Sequence, residues 1–382
     1  MTAVTHVIAM SEIPDRGPLG GAENHLITLI LNQKKKGLDV ELFAVVLRGG
    51  QQLSQVHGIL KENGVTVTTY QMKYFDNTNP LKRFYGKILL VKNLYSAFIK
   101  RKNRVIHTHL PMASQYARFS AILAGCKYIV DSVHNDEPSF ARLSWRLRLG
   151  FLDLFTKAYI AISENVKRHL VEKAGLNGNK IHVVLYGIDL PDRVMGRDEA
   201  RSGLNLDSNS FVVGFVGRLM PQKNLFLLFD AALLCPDMKF LIIGEGKERN
   251  KLESYIREKN IENVVLAGYR ENAAELMPAF DIFCLPSRWE GLGLVLVEAM
   301  LRHVPIVGTR AGAIPEVLQQ GKYGYLADPD NADQLAKCFI EIRNTPEKTN
   351  QMVSEAYSYA VNHFSTERMV NETCSLYSSI LK

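Results

Sequence analysis

The sequence predicts an α/β protein with two domains, each built on a parallel sheet with helices on both faces. The chain has 382 residues, which is more than one hydrophobic core usually organises. Short apolar runs typical of strands alternate with helical segments, and this alternation stops after Leu185 and begins again at Phe211. We therefore expect Rossmann-like, doubly wound domains over residues 1–190 and 191–360, followed by a helix over 361–382.

Thirteen strands are predicted by the apolar runs. The first domain is expected to contain Val4–Met10, Val40–Leu47, Val65–Thr69, Val105–His107, Tyr128–Val133, Ala158–Ile162 and His182–Leu185. The second is expected to contain Phe211–Val216, Phe240–Ile243, Val264–Leu266, Ile282–Leu285, Pro305–Val307 and Tyr323–Leu326. The charged stretch Asp192–Asn209 is interpreted as a linker, and the chain from Ala332 onward as wholly helical.

Composition narrows the class of protein. Hydrophobic residues make up 47% of the chain and charged residues 22%, which are ordinary values for a globular protein. The five cysteines form no Cys-x-x-Cys pair, so we expect no zinc site, no disulfide framework and a reducing, cytoplasmic location. No basic leader and no run of 18 apolar residues is present, so neither a signal peptide nor a membrane span is expected.

The charge is uneven along the chain. Residues 1–195 contain 26 Lys+Arg and 15 Asp+Glu, a net charge of +11, whereas the remainder contains 20 and 24, a net charge of −4. An asymmetry of this kind predicts an anionic partner for the first domain, either nucleic acid or a lipid surface. We find no aromatic and basic recognition module, so we expect no nucleic acid partner.

Two basic stretches are candidates for such a lipid surface. Within Leu81–Arg104, which contains eight basic residues, apolar side chains recur at helical spacing at positions 81, 84, 88, 91, 95 and 98. Arg142–Arg148 is also basic and contains Trp145 and Leu147. Two interpretations stay open: contact with an anionic membrane, or helices that pack on the core with a solvated basic face.

The most informative stretch runs from Pro286 to Met300. It follows an apolar strand, turns through two glycines and continues as an apolar helix, so backbone N–H groups and a helix N-terminus converge where a phosphate can bind. Glu290 lies before the helix and Glu298 on its second turn. Carboxylates accept hydrogen bonds from hydroxyls, so the stretch fits a ligand with phosphates and hydroxyls, such as a nucleotide sugar. The alternative is an ordinary strand-loop-helix unit with two solvated glutamates.

Other polar residues follow predicted strands at the same kind of edge. Arg218 and Lys223 follow the first strand of the second domain and can neutralise a pyrophosphate without a metal ion. His109 and His134 follow two strands of the first domain. A metal ion between such histidines is conceivable, but no carboxylate or cysteine spacing supports one. Gly20 and Gly21 would allow close approach of a ligand, although they do not fit the Gly-x-Gly-x-x-Gly fingerprint.

These residues resemble a retaining GT-B glycosyltransferase of glycosyltransferase family 4. The resemblance covers nearly all of the chain. The motifs that carry it are Gly20-Gly21-Ala22-Glu23, His134 after its strand, Val216-Gly217-Arg218 with Lys223, Leu241–Gly246, and the Glu290 and Glu298 pair within Pro-Ser-Arg-Trp-Glu-Gly-Leu-Gly-Leu. It implies two Rossmann-like domains facing across a cleft, with the last helix returning to the first domain.

The resemblance also implies roles for single residues. Arg218 and Lys223 would hold the donor pyrophosphate, and Glu290 would contact the donor sugar. Backbone groups of Gly291, Leu292, Gly293 and Leu294 would meet sugar and phosphate, Glu298 the ribose, His134 the reacting sugar, and Gly20, Gly21 and His109 the phosphate or acceptor. The family needs no metal and no other cofactor. One departure is Tyr186-Gly187-Ile188-Asp189, because relatives commonly have Asn where this chain has Tyr186.

The expected reaction is transfer of a hexosyl unit, with retention, from a UDP- or GDP-sugar to a saccharide or lipid-linked saccharide. Surface polysaccharide or lipopolysaccharide assembly at the cytoplasmic face of the bacterial inner membrane would suit the basic first domain. The alternatives are a sugar-nucleotide epimerase of the same architecture, and a phosphorylase that uses pyridoxal phosphate, for which no sequence feature marks a Schiff-base lysine.

Overall fold

The chain forms two compact units. The computed structural model describes residues 2–11, 21–48, 51–73, 79–135, 140 and 142–382. The first unit contains the described residues up to Gly187 together with Thr366–Lys382, and the second contains Ile188–Ser365.

The first unit is a seven-stranded parallel sheet in the order β3-β2-β1-β4-β5-β6-β7. Its strands are β1 (Ala3–Ser11), β2 (Asp39–Arg48), β3 (Thr66–Gln71), β4 (Val105–His109), β5 (Tyr128–Val133), β6 (Ala158–Ala161) and β7 (Ile181–Val183). Its helices are α1 (Gly21–Lys35), α2 (Gln51–Glu62), α3 (Pro80–Phe98), α4 (Pro111–Leu123), α5 (Leu143–Asp153) and α6 (Glu164–His169).

Alternation along β1 builds a core on each face of this sheet. Val7 and Ala9 lie in the cluster that also contains the buried residues of α3 and α4. Ile8 and Met10 lie in the opposite cluster, with residues of α1. The last helix of the chain, α14 (Thr366–Leu381), packs against α1 and belongs to this unit.

The second unit is a six-stranded parallel sheet in the order β10-β9-β8-β11-β12-β13. Its strands are β8 (Val212–Val216), β9 (Lys239–Ile243), β10 (Val264–Gly268), β11 (Ile282–Leu285), β12 (Ile306–Thr309) and β13 (Tyr325–Ala327). Its helices are α7 (Arg197–Gly203), α8 (Leu225–Leu233), α9 (Arg249–Glu258), α10 (Leu294–Met300), α11 (Ile314–Val317), α12 (Ala332–Asn344) and α13 (Pro346–His363).

The predicted fold class, two Rossmann-like α/β domains, is confirmed. Each of the thirteen predicted strands overlaps a strand of the structure, with ends that differ by a few residues, and the chain from Ala332 onward is helical as predicted. Among the described helices, none combines the length and the apolar character needed to cross a membrane.

The linker interpretation of Asp192–Asn209 was wrong, because this stretch contains α7 and a buried arginine. Arg201 is 2% exposed. Its guanidinium donates to the carbonyl oxygens of Ala279, Asp207, Ser208 and Ser210 and to Asp281 Oδ2 (2.8 Å). The polar composition suggested a solvated segment, but these hydrogen bonds satisfy the buried charge and fix the stretch to the second unit.

Of the two interpretations of Leu81–Arg104, packing on the core does not hold for most of the apolar positions named from their spacing. Gly86, Leu90, Leu94 and Phe98 are buried. Of the six positions named from the spacing, only Phe98 is among them. Four others, Leu81, Phe84, Ile88 and Tyr95, are exposed, and Val91 is half-buried. Because one of the buried positions, Gly86, is a glycine, the pattern of apolar residues does not reveal the buried face of the helix.

Replacing Arg201 by Met is predicted to destabilise the second unit by about 3–5 kcal/mol, because Asp281 and several carbonyl oxygens lose a buried donor. Urea unfolding followed by Trp289 fluorescence in a Trp145→Phe background measures this change. Arg193→Met is the control, since Arg193 and its partner Glu199 are both exposed, and it should cost less than about 1 kcal/mol. Equal losses in the two variants would contradict this account of Arg201.

Candidate functional site

The strand order of the second sheet reverses between β8 and β11. Ligands of open parallel sheets bind at the carboxyl ends of the strands, beside such a reversal. Arg218 and Lys223 follow β8, and Glu290 follows β11. The fold therefore places three of the predicted site residues at the edge where a ligand is expected.

Glu290 is the centre of this edge. It is only 6% exposed. Lys223 Nζ donates to Glu290 Oε1 at 2.5 Å, and Ser287 Oγ donates to the same oxygen at 2.6 Å. No described residue donates to Oε2. The carboxylate is thus held by two donors on one oxygen, and its other oxygen is left to accept hydrogen bonds from a ligand.

Backbone contacts fix the loop that contains Glu290. Arg288 N donates to Gln222 O (2.8 Å), and Gln222 Nε2 donates to Trp289 O (2.9 Å). On the other side, Ala313 N donates to Glu290 O (2.9 Å), and a Cβ atom at Gly312 would overlap the Glu290 backbone. Three loops, after β8, β11 and β12, therefore hold Glu290 in place.

The Gly-rich turn continues into α10 as predicted. Gly293 takes up a left-handed conformation (φ 82°) directly before the helix, which glycine adopts at little cost. Leu292 is buried, and Gly291, Gly293 and Leu294 form the start of the helix or lead into it. Glu298 is half-buried on the second turn. Burial raises the pKa of its carboxyl, and the nearby Arg302 guanidinium partly opposes that rise.

Arg218 lies exposed at the end of β8. Within the described part of the chain it forms no ion pair. Its guanidinium is therefore able to bind an anion that arrives at this edge, whereas Lys223 is already paired with Glu290.

The remaining predicted site residues lie in the first unit. Gly20 is outside the described residues, and Gly21 is the first residue of α1. His109, at the end of β4, is fully buried, and His134, after β5, is 8% exposed. The structure therefore divides the predicted site residues between the two units.

His109 and His134 belong to a buried chain of hydrogen bonds. His6 Nε2 bonds Gln33 Oε1 (2.8 Å), His6 Nδ1 bonds His109 Nε2 (3.0 Å), and His109 Nδ1 bonds His134 Nε2 (3.2 Å). Beyond that, His134 Nδ1 bonds the hydroxyl of Tyr186. A carbonyl oxygen only accepts, so His6 carries its proton on Nε2. The same direction then follows along the chain: His109 and His134 also carry theirs on Nε2, and Tyr186 donates.

A second branch leaves Gln33 from its amide nitrogen. Gln33 Nε2 donates to the Tyr377 hydroxyl (3.4 Å), that hydroxyl bonds His107 Nδ1 (2.5 Å), and His107 Nε2 bonds Ser132 Oγ (2.7 Å). Ring nitrogens of His6, His107 and His109 lie within 4.8 Å of one another, a spacing that could suit a metal ion. Each of these nitrogens already has a hydrogen-bond partner, so the network accounts for the cluster by itself.

Burial keeps these histidines neutral. It lowers the pKa of His6 to about 4 and of His134 to about 3. The pKa values of His25, His107 and His109 are also well below the usual range because of burial. Neutral rings match the hydrogen bonds of His6, His107, His109 and His134, in which both ring nitrogens have a partner.

The sequence marked Tyr186 as a departure from the Asn that is common in relatives, but it did not predict the contacts of this side chain. Its ring stacks on His25 with centroids 3.7 Å apart, and its hydroxyl bonds His134 Nδ1.

The sequence analysis did not name Ser287, which donates to Glu290, or Thr309, which donates to Ser287 O (2.5 Å). The ends of β11 and β12 could have suggested both, because polar residues that end neighbouring parallel strands share one edge.

Comparison with known families supports the same interpretation. Residues 19–191 match the family described as Glycosyltransferase Family 4, and residues 196–359 match Glycosyl transferases group 1. The chain belongs to the GT-B glycosyltransferases of family 4.

Two relatives of this chain are named glycosyltransferases. The UDP-Gal:alpha-D-GlcNAc-diphosphoundecaprenol alpha-1,3-galactosyltransferase of Escherichia coli is 29% identical over 302 residues, covering 75% of this chain and 78% of that protein. The D-inositol 3-phosphate glycosyltransferase of Mycolicibacterium vanbaalenii is 26% identical over 363 residues, covering 86% and 79%. The chain is a transferase that moves a sugar from a nucleotide sugar.

Solved structures show the same fold. HepE of Anabaena, crystallised with UDP and glucose, superimposes with a TM-score of 0.82 at 22% identity, covering 98% of this chain and 99% of that chain. Sucrose-phosphate synthase of Thermosynechococcus elongatus superimposes with a TM-score of 0.80 at 17% identity, covering 100% and 99%.

The buried histidines predict that the first unit loses stability as the pH falls. Their folded-state pKa values lie below the unfolded value of about 6.5, so the unfolded chain binds more protons once the pH drops below it. Each such histidine destabilises the unit by up to about 1.4 kcal/mol per pH unit, down to its folded pKa. The urea concentration at the unfolding midpoint of the first unit should therefore decrease as the pH is lowered from 7.5 to 5.5.

The two tryptophans allow each unit to be followed separately. Trp145 reports on the first unit in a Trp289→Phe variant, and Trp289 reports on the second in a Trp145→Phe variant. The second unit is the control, because its two histidines, His303 and His363, are exposed. The same pH dependence in both units would show that the buried network is not its source.

Proposed function

We propose that the chain transfers a hexosyl unit from a UDP- or GDP-sugar to a saccharide or lipid-linked saccharide, with retention at the anomeric carbon, in bacterial surface-glycan synthesis. The observation that carries the proposal is the buried Glu290 carboxylate. It is held on one oxygen by Lys223 and Ser287 at the carboxyl edge of the second sheet, where Arg218 is exposed after the neighbouring strand β8.

In this proposal the donor lies along that edge. Its pyrophosphate binds Arg218 and the backbone N–H groups around Gly293, while its sugar hydroxyls donate to Glu290. Glu298, on the second turn of α10, receives the ribose hydroxyls. Lys223 neutralises Glu290 before the donor binds, and it can shift toward the phosphate when the donor arrives, since Lys is a flexible point charge.

These cations act on the charge that appears during the reaction. When the bond between the anomeric carbon and the phosphate oxygen breaks, negative charge grows on the departing nucleoside diphosphate. Arg218 and Lys223 stabilise that charge more in the transition state than in the bound donor, which lowers the barrier. We propose that they do so without a metal ion.

Retention follows if the acceptor attacks from the side that the diphosphate leaves. The acceptor hydroxyl forms the new bond to the anomeric carbon, and its proton passes to the departing phosphate oxygen. Glu290 is held by Lys223 and Ser287 for hydrogen bonding, so the proposal gives it no nucleophilic role of the kind that a retaining glycosidase uses.

The role of His134 in the proposal depends on its hydrogen bond to Tyr186. Both of its ring nitrogens are hydrogen-bonded, to His109 and Tyr186, so contact with the reacting sugar requires the Tyr186 hydroxyl to leave Nδ1. The lipid-linked acceptor is suggested by the name of the Escherichia coli relative and by the basic first unit. The relatives reported above are transferases, so the epimerase alternative is not carried forward.

A panel of UDP-, GDP- and ADP-sugars tests the proposal, with EDTA present and with short saccharides and polyprenyl-diphosphate saccharides as acceptors. We expect one nucleotide class to support transfer that requires an acceptor, and NMR coupling constants of the product should show the anomeric configuration of the donor. Donor conversion without an acceptor, an inverted product, or a strict need for added metal would each contradict part of it.

Glu290→Gln is expected to reduce kcat/KM at least about 100-fold, because the variant loses the negative charge that the sugar hydroxyls bind in the transition state. Steady-state kinetics with the donor from the panel measures the loss. Glu262→Gln, on an exposed residue of the same unit, is the matched control and should keep normal turnover. Near-normal turnover by the Glu290 variant would rule out the role assigned to it.

A further inference from the structure

The outer side of α3 exposes large apolar side chains. Leu90, Leu94 and Phe98 fill the core. The exposed apolar residues of this helix are Leu81 (77% exposed), Phe84 (62%), Tyr85 (53%), Ile88 (48%) and Tyr95 (37%). Single exposed apolar residues are common, but a helix that exposes five has a second apolar face that water does not favour.

The outer side of α5 repeats this arrangement. Leu149 and Leu152 are buried. On the other side, Leu143 (69% exposed), Leu147 (68%), Phe151 (47%) and Leu154 (75%) follow one another at spacings of three or four residues, which places them on one face.

Helix α4 connects the two faces into one surface. It packs beside α3 and contacts α5. Its residues Phe119 (40%) and Leu123 (54%) are also exposed. We call the exposed apolar residues of α3, α4 and α5, with the cations around them, the α3–α5 face.

The cations of this face have few acidic neighbours in sequence. From residue 77 to residue 130 the chain has ten Lys or Arg and no Asp or Glu. The exposed ones on and after α3 are Lys82, Arg83, Lys92, Lys100 and Lys102, and those on or beside α5 are Arg142, Arg146 and Arg148. Arg101 and Arg104 do not belong to the face, because they are bound to Glu41 and Asp39.

Leucine and phenylalanine tips with arginines and lysines around them are typical of helices that lie at the boundary between lipid headgroups and acyl chains. Nucleic acid would use the cations but would leave most of the leucines in water. A second copy of the chain would bring two strongly basic faces together, which repel each other. Charge complementarity therefore favours an anionic lipid surface.

We propose that the α3–α5 face docks the protein on an anionic lipid bilayer. The apolar side chains enter the interface between headgroups and acyl chains, and the flanking cations bind lipid phosphates. Docking of this kind requires no sugar donor and no catalysis, so it is measurable even if the proposed transfer reaction is wrong.

Co-sedimentation of the full chain with vesicles tests the proposal, using phosphatidylglycerol mixed with phosphatidylcholine against phosphatidylcholine alone. Binding to the anionic vesicles should be at least about tenfold tighter, because each cation near such a surface adds attraction, and should weaken as salt is raised. Leu147→Ser/Phe151→Ser should bind anionic vesicles at least about tenfold more weakly, since two apolar side chains no longer insert. Arg146→Glu/Arg148→Glu should do the same.

Leu233→Ser/Leu234→Ser is the matched control, because both residues are also exposed (43% and 48%) but belong to the second unit. It should bind as the wild type does, and thermal unfolding should show that every variant is folded. The proposal is overturned if anionic and neutral vesicles bind equally, or if the α5 variants bind as the wild type does. It is also overturned if sedimentation velocity shows a dimer that the α5 variants dissociate and that does not bind vesicles.

Discussion

The ion pair between Lys223 and Glu290 is the constraint on which the carboxyl edge of the second sheet depends. A carboxylate that is 6% exposed costs free energy unless donors satisfy it, and Lys223 and Ser287 are those donors. Because Lys223 follows β8 and Glu290 follows β11, the pair fixes the two loops at the reversal of strand order relative to each other. The close approach of Gly312 then holds the Glu290 backbone, so the carboxylate is aligned before any ligand arrives.

The first unit also buries polar side chains, but there the buried groups are neutral. Five histidines would destabilise a core if they carried charge, and burial keeps them uncharged. Gln33 sets the direction of the hydrogen bonds, since its oxygen accepts from one branch and its nitrogen donates to the other. Tyr377 joins α14 to this network, which ties the end of the chain to strands that lie far earlier in sequence.

The sequence predicted features that depend on local pattern. Strand positions followed from short apolar runs, and the turn before α10 from its glycines. Prediction from the sequence failed where contacts between residues that are far apart in the chain determine which side chains are buried. Arg201 lies in a polar stretch, and only the carbonyl oxygens that surround it explain its burial. The buried stripe of α3 contains Gly86, which no count of apolar residues detects, and the bond from Tyr186 to His134 joins residues 52 positions apart.

The most direct test of the central claim is a calorimetric titration of the Glu290→Gln variant with the nucleoside diphosphate and with the complete donor of the class identified by the panel. If Glu290 binds the sugar, the variant should bind the diphosphate at least as tightly as the wild type does, because Lys223 is released toward the phosphate. Its affinity for the complete donor should fall about tenfold or more, which corresponds to loss of a hydrogen bond to a charged group. Weaker binding of the diphosphate, or unchanged binding of the donor, would contradict the account.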